Sequence, residues 1–560
     1  MSDAKDNLIS IFIDDVEVKV PAGINLVDAA EMAGKEIPHF CYHKHLPVSG
    51  NCRMCLVEVG TPGRDRATGE PILDENGVQK IMWMPKPIIA CATNASPGMH
   101  VRTQSNIIKH CREGIMEFLL LNHPLDCPIC DQAGECRLQE FATDYGRGYS
   151  RCAEDKNVKP KRTKLGPRVI LDDERCILCS RCVRFCSDVM NDGVLGFTER
   201  GSYSTLTCFP GRELDNNYSL NTVDLCPVGA LTSTDFRFKM RSWFLKETKS
   251  ICTESSVGVN TVVNSREGVI YRIKPRENVE VNDSWMSDSG RLLYKQVAME
   301  SRMSDYTIEG KPVTPDEALQ EAARLLSSGK SAFIGSANSS VEEQWMLAQI
   351  IKKTGDSVPC WLVAHVGEGD GFLISEDRTP NFRGALLTGL TDKMPEDKLS
   401  ALGAAIDAGE IDTLFSYNEC PIAAGLSVEQ IKKVKFIYMG THHCDASQYA
   451  AVELPGLTVF EKKGTFINQQ FRLQRFEQAV PSEGTLNDIK SLSAVLAAVS
   501  SAKSVPECVD SIWQAMSQSI APFKDISFNS ISDNGVLVDG SAFEHLPFVE
   551  GKSLHYEPKA

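Results

Sequence analysis

The first hundred residues carry a strand-like pattern followed by a helix-like one. An apolar run at residues 8–13 and a pair of aspartates at residues 14–15 precede residues 16–20, where valines alternate with charged residues. This pattern predicts a β-hairpin. A short helix follows, for which Asn25 is a suitable N-cap and Gly34 a suitable C-terminal stop. A second helix is predicted over residues 105–121 by its apolar stripe, and it ends at His123-Pro124.

From about residue 300 the pattern changes to alternating helices and strands. Residues 314–317 combine an N-cap Thr, a Pro at the first helical position and a capping-box Glu. A strand at residues 331–334 and a helix beginning near Ser340 come next. Apolar runs at residues 413–415 and 434–439 are typical of buried parallel strands. The back half is therefore predicted to be a doubly wound α/β sheet.

Length and charge narrow the class of protein. A chain of 560 residues is too long for one core, so we expect three or more domains. No run approaches the roughly 18–20 apolar residues of a membrane span. The start of the chain lacks signal-peptide features, which favours a cytoplasmic location. A net charge of −15 argues against a nucleic-acid partner.

The distribution of the cysteines gives the strongest indication of the chemistry of the chain. Of the 20 cysteines, 15 fall within residues 41–226 and five lie beyond. Without a secretion signal, clustered cysteines indicate metal or redox cofactors more often than disulfides. The front half is therefore expected to carry metal centres.

The first group of cysteines combines a close pair with two distant residues. Its members are Cys41, Cys52, Cys55 and Cys91. Four thiolates can bind a [2Fe–2S] cluster, although the ten-residue gap after the first cysteine is longer than the plant-type spacing. The spacing leaves open a structural zinc site or buried cysteines without a metal.

The second group combines one histidine with three cysteines. Its members are His123, Cys127, Cys130 and Cys136. Four such ligands within fourteen residues can surround one metal centre. A set of three Cys and one His also suits structural Zn²⁺, so the residues alone leave both centres open.

The third group has the spacing of a bacterial ferredoxin. The run is Cys176-x2-Cys179-x2-Cys182-x3-Cys186, and a remote Cys226-Pro227 supplies the fourth ligand of one [4Fe–4S] cluster. A second run before Cys226 would need three more cysteines, but the chain has Asn216, Ser219 and Thr222 there. We therefore expect one cluster, bound by Cys176, Cys179, Cys182 and Cys226. Cys186 is interpreted as a buried structural thiol.

Long motifs around the three groups resemble one family. Residues 52–59, 117–132 and 175–186 resemble the large iron–sulfur subunit of NADH:quinone oxidoreductase (respiratory complex I). The resemblance covers residues 1–245 and implies that the histidine-containing site is a [4Fe–4S] cluster. It also implies that one [2Fe–2S] and two [4Fe–4S] clusters form part of a path from flavin toward quinone.

Beyond residue 245 the resemblance is to molybdopterin oxidoreductases and has lost metal ligands. Only Cys252 remains of a further four-cysteine site, and Ser255, Val259 and Ser287 stand where cysteines would be. Residues 461–468 with Arg472 and Gln474 resemble a segment of that family, but no molybdenum-ligand motif is present, so we expect no molybdenum. The polar run at residues 441–445 is interpreted as a loop rather than a metal site.

These patterns predict a multidomain α+β and α/β protein with five domains. The expected domains are a [2Fe–2S] ferredoxin-like (β-grasp) domain at 1–95, a His/Cys3 [4Fe–4S] domain at 96–150, a ferredoxin-like [4Fe–4S] domain at 151–245, a degenerate cluster domain at 246–300 and an α/β molybdopterin-oxidoreductase-like scaffold at 301–560.

The expected function is electron relay within an NADH dehydrogenase, with no catalytic site on this chain. By the resemblance, its partners are the flavin- and NADH-binding subunit and other peripheral-arm subunits on the cytoplasmic side of the inner membrane. Membrane contact is expected only through those partners. The alternatives are an electron-transfer subunit of an NAD-linked hydrogenase or formate dehydrogenase, or a zinc-stabilised scaffold without redox activity.

Overall fold

The chain divides between Trp243 and Phe244 into two units. The structure, a computed structural model, describes residues 8–65, 67–355, 358–482, 484–500 and 504–549.

The first unit contains short strands and five helices in its described part. Its strands are β1 (Leu8–Ile13), β2 (Val16–Pro21), β3 (Leu56–Pro62), β4 (Ile81–Trp83), β5 (Ile88–Ile89), β6 (His100–Arg102), β7 (Thr163–Lys164), β8 (Val169–Leu171), β9 (Leu195–Thr198), β10 (Thr205–Cys208) and β11 (Leu231–Ser233). Its helices are α1 (Leu26–Met32), α2 (Asn106–Leu121), α3 (Arg137–Tyr145), α4 (Arg181–Arg184) and α5 (Asn221–Leu225).

The N-terminal sheet of the first unit has the order β2-β1-β6-β3-β4, with β5 paired to β3. Strands β1 and β2 form the predicted antiparallel hairpin, and β6 joins β1 in parallel. The hairpin turns at Asp14 and Asp15, whose φ angles of 46° and 66° lie in the left-handed region that Asp tolerates. Alternate residues Ile11 and Ile13 are fully buried beneath α1 in one core. This arrangement confirms the ferredoxin-like domain predicted for the N-terminus.

The predicted helix starts depend on local hydrogen bonds. The side chain of Asn25 accepts hydrogen bonds from the backbone N–H groups of Val27 and Asp28 at the start of α1. Ser105 accepts one from Ile108 at the start of α2. These side chains satisfy N–H groups that the first helical turn leaves without partners, and both helices were predicted at these positions.

The second unit contains the remaining strands and eight helices in its described part. Its strands are β12 (Lys246–Ile251), β13 (Asn260–Arg266), β14 (Val269–Pro275), β15 (Thr307–Ile308), β16 (Lys311–Pro312), β17 (Ser331–Gly335), β18 (Cys360–Leu362), β19 (Thr413–Tyr417), β20 (Lys435–Gly440), β21 (Val452–Pro455), β22 (Gly464–Ile467), β23 (Arg472–Phe476) and β24 (Val536–Leu537). Its helices are α6 (Asp288–Arg291), α7 (Pro315–Ser327), α8 (Val341–Thr354), α9 (Phe382–Leu387), α10 (Ser400–Asp407), α11 (Val428–Lys433), α12 (Asp488–Ser500) and α13 (Val509–Ser519).

A seven-stranded sheet organises the second unit. Its order is β16-β15-β21-β20-β19-β17-β18, and the five strands from β17 to β21 are parallel. Phe333 of β17 packs into a core with α7 and α8, whereas the next residue, Ile334, packs into a core with α10 and α11. Successive side chains of a strand point to opposite faces, so helices cover both faces. The predicted doubly wound sheet is confirmed.

A buried ionic network lies between this sheet and α8. The Nζ of Lys462 lies 2.6 Å from a carboxylate oxygen of Glu343 and 2.6 Å from one of Asp488. The hydroxyl of Tyr417 donates a hydrogen bond of 3.3 Å to Asp488. Burial lowers the pKa of Lys462, but the two carboxylates outweigh this effect and raise it, so the ammonium form is stabilised. The lysine therefore balances two carboxylates away from water.

Replacing this lysine tests the network. Lys462→Met is expected to lower the free energy of unfolding of the second unit by about 3–5 kcal/mol, because it leaves buried carboxylates without their cation. Lys463→Met is the matched control, since Lys463 is 42% exposed and its nearest carboxylate, on Asp510, lies 3.6 Å away. Urea unfolding followed by circular dichroism measures both variants. Equal losses in the two variants would show that the network contributes little.

Candidate iron–sulfur sites

The first predicted group converges in the N-terminal domain. Cys41 follows α1, Cys52 and Cys55 precede β3, and Cys91 lies in a 3₁₀ turn. The Sγ atoms of Cys55 and Cys91 are 3.5 Å apart, and the thiol of Cys41 is hydrogen-bonded to those of Cys52 and Cys91. These two interactions lower the pKa of Cys41 and raise the pKa of Cys52 and Cys91, because the neighbouring thiols stabilise one thiolate between them. The thiolate is the form of cysteine that binds metals, so this donor set fits an iron–sulfur cluster.

The second group lies between α2 and α3. His123 and the three cysteines occupy the connecting segment, where Cys130 is buried and Cys127 is exposed. Burial, reinforced by the charges of Arg175 and Lys156, lowers the pKa of His123 to about 4. The imidazole is therefore neutral at physiological pH, as a metal ligand must be.

One atom of His123 lacks the partner that a buried nitrogen normally has. Its Nδ1 is shielded from solvent and has no hydrogen-bond partner among the described residues. A buried polar atom without a partner costs about 1–3 kcal/mol, unless a bound group satisfies it. This nitrogen is consistent with a ligand role for His123.

The third group encloses a small cavity. Cys176, Cys179, Cys182 and Cys226 line it together with apolar side chains that include Phe197. Burial raises the pKa of all four thiols, to about 11 for Cys226. A bound cation would favour their thiolate forms in this dry environment. Cys186, predicted to be a buried thiol, is fully shielded from solvent.

None of the described His, Cys, Asp and Glu side chains form a group of three or more that could hold a single metal ion. Ligands of one ion converge on a point. The ligands of an iron–sulfur cluster are shared among two or four iron atoms and are therefore spread around it. A ligand set that does not converge on one point therefore fits a cluster better than a single ion.

Two arginines for which the sequence predicts no role join the first and third groups. Arg181 donates hydrogen bonds to the carbonyl oxygens of Tyr42 and Leu225, the residues after Cys41 and before Cys226. Arg184 donates to the carbonyl oxygens of Cys41, Pro47 and Cys179. Both arginines lie inside the cysteine run, but nothing in the local sequence indicates their distant acceptors.

The segment after Cys226 joins the second and third groups. The thiol of Cys136 donates to the carbonyl oxygen of Pro227 at 3.9 Å. Gly229 packs against Cys130 so closely that a Cβ atom there would overlap with the sulfur. A glycine is therefore required at this position by contact and not by its backbone conformation.

The four positions expected to have lost cluster ligands lie in the interior of the second unit and bond to its other residues. The hydroxyl of Ser287 donates to Glu254, and the hydroxyl of Ser255 accepts a 3.4 Å hydrogen bond from the backbone N–H of Ser375. Cys252, Ser255, Val259 and Ser287 are all buried. These positions are occupied by internal contacts of the second unit.

The polar run at residues 441–445 is a loop after β20, as predicted. His442 contacts the hydroxyl of Thr441 and the carbonyl oxygen of Gln296, while His443 faces Glu453. The two imidazoles have separate partners, so the structure does not combine them in one site.

Models of five protein families match successive parts of the chain. They are a 2Fe-2S iron-sulfur cluster binding domain (residues 6–106), the NADH-ubiquinone oxidoreductase-G iron-sulfur binding region (112–151), the ferredoxin-like domain of NADH-quinone oxidoreductase subunit 3 (166–232), an NDSU1/NuoG-like 4Fe-4S domain of NADH-ubiquinone oxidoreductase (245–295) and molybdopterin oxidoreductase (310–501).

Individual proteins that match across several of these domains are named as subunits of the same kind of enzyme as the family models. The G subunit of NADH-quinone oxidoreductase from Rickettsia conorii is 40% identical over 357 residues, which are 62% of this chain and 50% of the relative. Over the matched residues the chain is similar to this subunit of NADH-quinone oxidoreductase. Subunit 3 of the Thermus thermophilus enzyme is 36% identical, over 62% of this chain and 46% of the relative. The mitochondrial NADH dehydrogenase [ubiquinone] iron-sulfur protein 1 of Solanum tuberosum is 39% identical, over 63% of this chain and 46% of the relative. The predicted resemblance is confirmed.

The sequence similarity covers only part of each relative, and the similarity to a solved structure covers only part of this chain. The chain spans about half the length of these curated relatives. A solved structure of an NAD⁺-reducing [NiFe]-hydrogenase covers 41% of this chain and 90% of its own, with 27% identity and a TM-score of 0.34. No helix in the described ranges is long and apolar enough to cross a membrane.

The contact between Gly229 and Cys130 can be tested by stability. Gly229→Ala is expected to lower the free energy of unfolding of the first unit by about 1–3 kcal/mol, because the added methyl group must displace the sulfur. Gly193→Ala is the matched control, since open space surrounds that position. Thermal unfolding of both variants measures the difference. An unchanged midpoint for Gly229→Ala would mean that the segment after Cys226 shifts freely.

Proposed function

We propose that this chain is an iron–sulfur electron-relay subunit of an NADH:quinone oxidoreductase. The observation that carries the proposal is the physical connection of the three ligand groups within one unit. Arg181 and Arg184 link the first group to the third, and residues 226–229 link the third to the second. Such connections hold redox centres at fixed separations, which a chain of electron transfers requires.

The proposed ligand sets follow the three groups. Cys41, Cys52, Cys55 and Cys91 would hold a [2Fe–2S] cluster. His123, Cys127, Cys130 and Cys136 would hold one [4Fe–4S] cluster, and Cys176, Cys179, Cys182 and Cys226 would hold another. When bound, these clusters supply reversible one-electron transfer.

The protein's own contribution is to place the ligands and to limit water. Cys41, Cys55 and Cys91 are each no more than 1% exposed. Apolar side chains surround the third group, and Arg175 places a positive charge near His123 and Cys130. Burial and nearby charge are the means by which a protein tunes cluster potentials.

The partners and location follow from the proposed complex. The flavin- and NADH-binding subunit and other peripheral-arm subunits would contact this chain. They would hold it on the cytoplasmic side of the inner membrane, with membrane contact only through them. Co-purification of a flavin-containing, NADH-binding subunit would separate this complex from a hydrogenase or a formate dehydrogenase.

The second unit is proposed to act as a scaffold without molybdenum. The segment that resembles molybdopterin oxidoreductases is engaged in internal bonds. Glu461 accepts hydrogen bonds from Thr458 and Arg302, and Lys462 belongs to the buried ionic network. The same residues that carry the resemblance therefore stabilise the fold. A sheet domain of this kind offers surface for obligate subunit contacts, which commonly bury about 2,000 Å² or more.

Elemental analysis tests the number and kind of centres. Anaerobically purified protein is expected to contain about ten irons per chain, from one [2Fe–2S] and two [4Fe–4S] clusters, with matching acid-labile sulfide. Zinc and molybdenum are expected to be absent. One or two zinc ions per chain with little sulfide would support the zinc scaffold, and stoichiometric molybdenum would restore a catalytic role to the second unit.

Substitution of the histidine tests the second ligand set. His123→Cys is expected to retain its cluster at a lower midpoint potential, because thiolate donates more electron density than imidazole. Cys130→Ala is expected to lose the cluster. His110→Cys is the matched control, since His110 lies on α2 with its side chain 81% exposed. Redox-titrated EPR measures the midpoints, and an unchanged value for His123→Cys would remove His123 from the ligand set.

A further inference from the structure

Two cysteines outside the proposed cluster sites meet at the edge of the seven-stranded sheet. Cys420 follows β19 and Cys444 follows β20, and these strands are parallel neighbours. The carboxyl ends of parallel neighbours lie at the same edge of a sheet, which is where open α/β sheets place their functional groups. Two residues that are distant in the sequence are thereby brought together.

Hydrogen bonds hold the two loops in place. The backbone N–H of Asn418 donates to Met439 at 2.7 Å, and the Asn418 side chain accepts from the N–H of Thr441 at 3.1 Å. Within its own turn, Cys444 is held by Ser447, whose hydroxyl accepts from the Cys444 N–H and donates to its carbonyl oxygen. The juxtaposition of the thiols therefore follows from the fold of the loops.

The thiols of Cys420 and Cys444 are in hydrogen-bond contact with each other, and neither forms a disulfide. Each residue packs against the core that contains α10 and α11, and each remains partly accessible to solvent. Partial exposure allows a small reagent to reach the sulfur atoms.

The electrostatics support a division of roles within the pair. The interaction with Cys444 lowers the pKa of Cys420, while the same interaction raises the pKa of Cys444. A thiolate is the attacking form in disulfide exchange, so Cys420 is suited to react first and Cys444 to resolve the intermediate.

We propose that Cys420 and Cys444 form a redox-active dithiol that is oxidised to an intramolecular disulfide by small-molecule disulfides. The Cys420 thiolate attacks one sulfur of the small disulfide, breaks its S–S bond and releases one thiolate. Cys444 then loses its proton and attacks the Cys420 sulfur, which releases the second thiolate. The protein dithiol gives up two electrons and two protons, and the small disulfide is reduced to two thiols.

The test uses the full-length, cluster-containing chain under anaerobic conditions. The reduced protein is treated with glutathione disulfide, the remaining thiols are alkylated, and peptides are identified by mass spectrometry without reduction. The expected product is a peptide pair joined through Cys420 and Cys444, lighter by two hydrogen atoms than the unlinked pair. Cys444→Ser should instead accumulate a glutathione adduct on Cys420, and Cys360→Ser should behave as the unchanged protein does.

Two results would overturn the proposal, and both can be obtained with the protein without substitutions. One is the addition of separate glutathione molecules to Cys420 and Cys444 without a linked peptide. The other is the absence of any reaction at either residue while the exposed Cys508 becomes modified. Neither result would bear on the proposed cluster sites, whose ligands are other cysteines.

Discussion

The hydrogen bonds of Arg181 and Arg184 are the constraint on which the first unit depends. The proposed ligands come from segments as far apart as Cys41 and Cys226, and no sheet of the described residues joins all of those segments. Guanidinium groups can serve several carbonyl acceptors at once, because they present five donors in a rigid plane. Two side chains thus fix the loop of the first group against the loops of the third.

The connection of the second and third groups has a different physical basis. It depends on close packing, with Gly229 against the Cys130 sulfur and the Pro227 carbonyl beside Cys136. A segment that supplies Cys226 therefore also shapes the neighbouring site. Small shifts of this segment would displace residues of both groups, since protein interiors have little free volume to absorb them.

In the second unit, buried polar and charged groups are paired with one another. Around Cys252, serine hydroxyls bond to Glu254 and to backbone, and Lys462 neutralises the buried carboxylates of Glu343 on α8 and Asp488 on α12. Breaking such a buried network is costly, because a charge left alone in the interior loses its hydration without compensation. This cost makes Lys462 important for the stability of the second unit.

The sequence by itself determined the features that depend on near neighbours. The caps at Asn25 and Thr314, the helix from Ser105, the β1–β2 hairpin and the alternation of the back half were predicted because a few adjacent residues settle them. The closely spaced cysteines could be named for the same reason, and the remote Cys91 and Cys226 completed their sets of four. Only the tertiary structure decided which distant groups meet: Arg184 with Cys41, Gly229 with Cys130, and Cys420 with Cys444. Such pairings depend on how strands and loops pack, and contacts between residues far apart in the chain leave no periodic pattern in a single sequence.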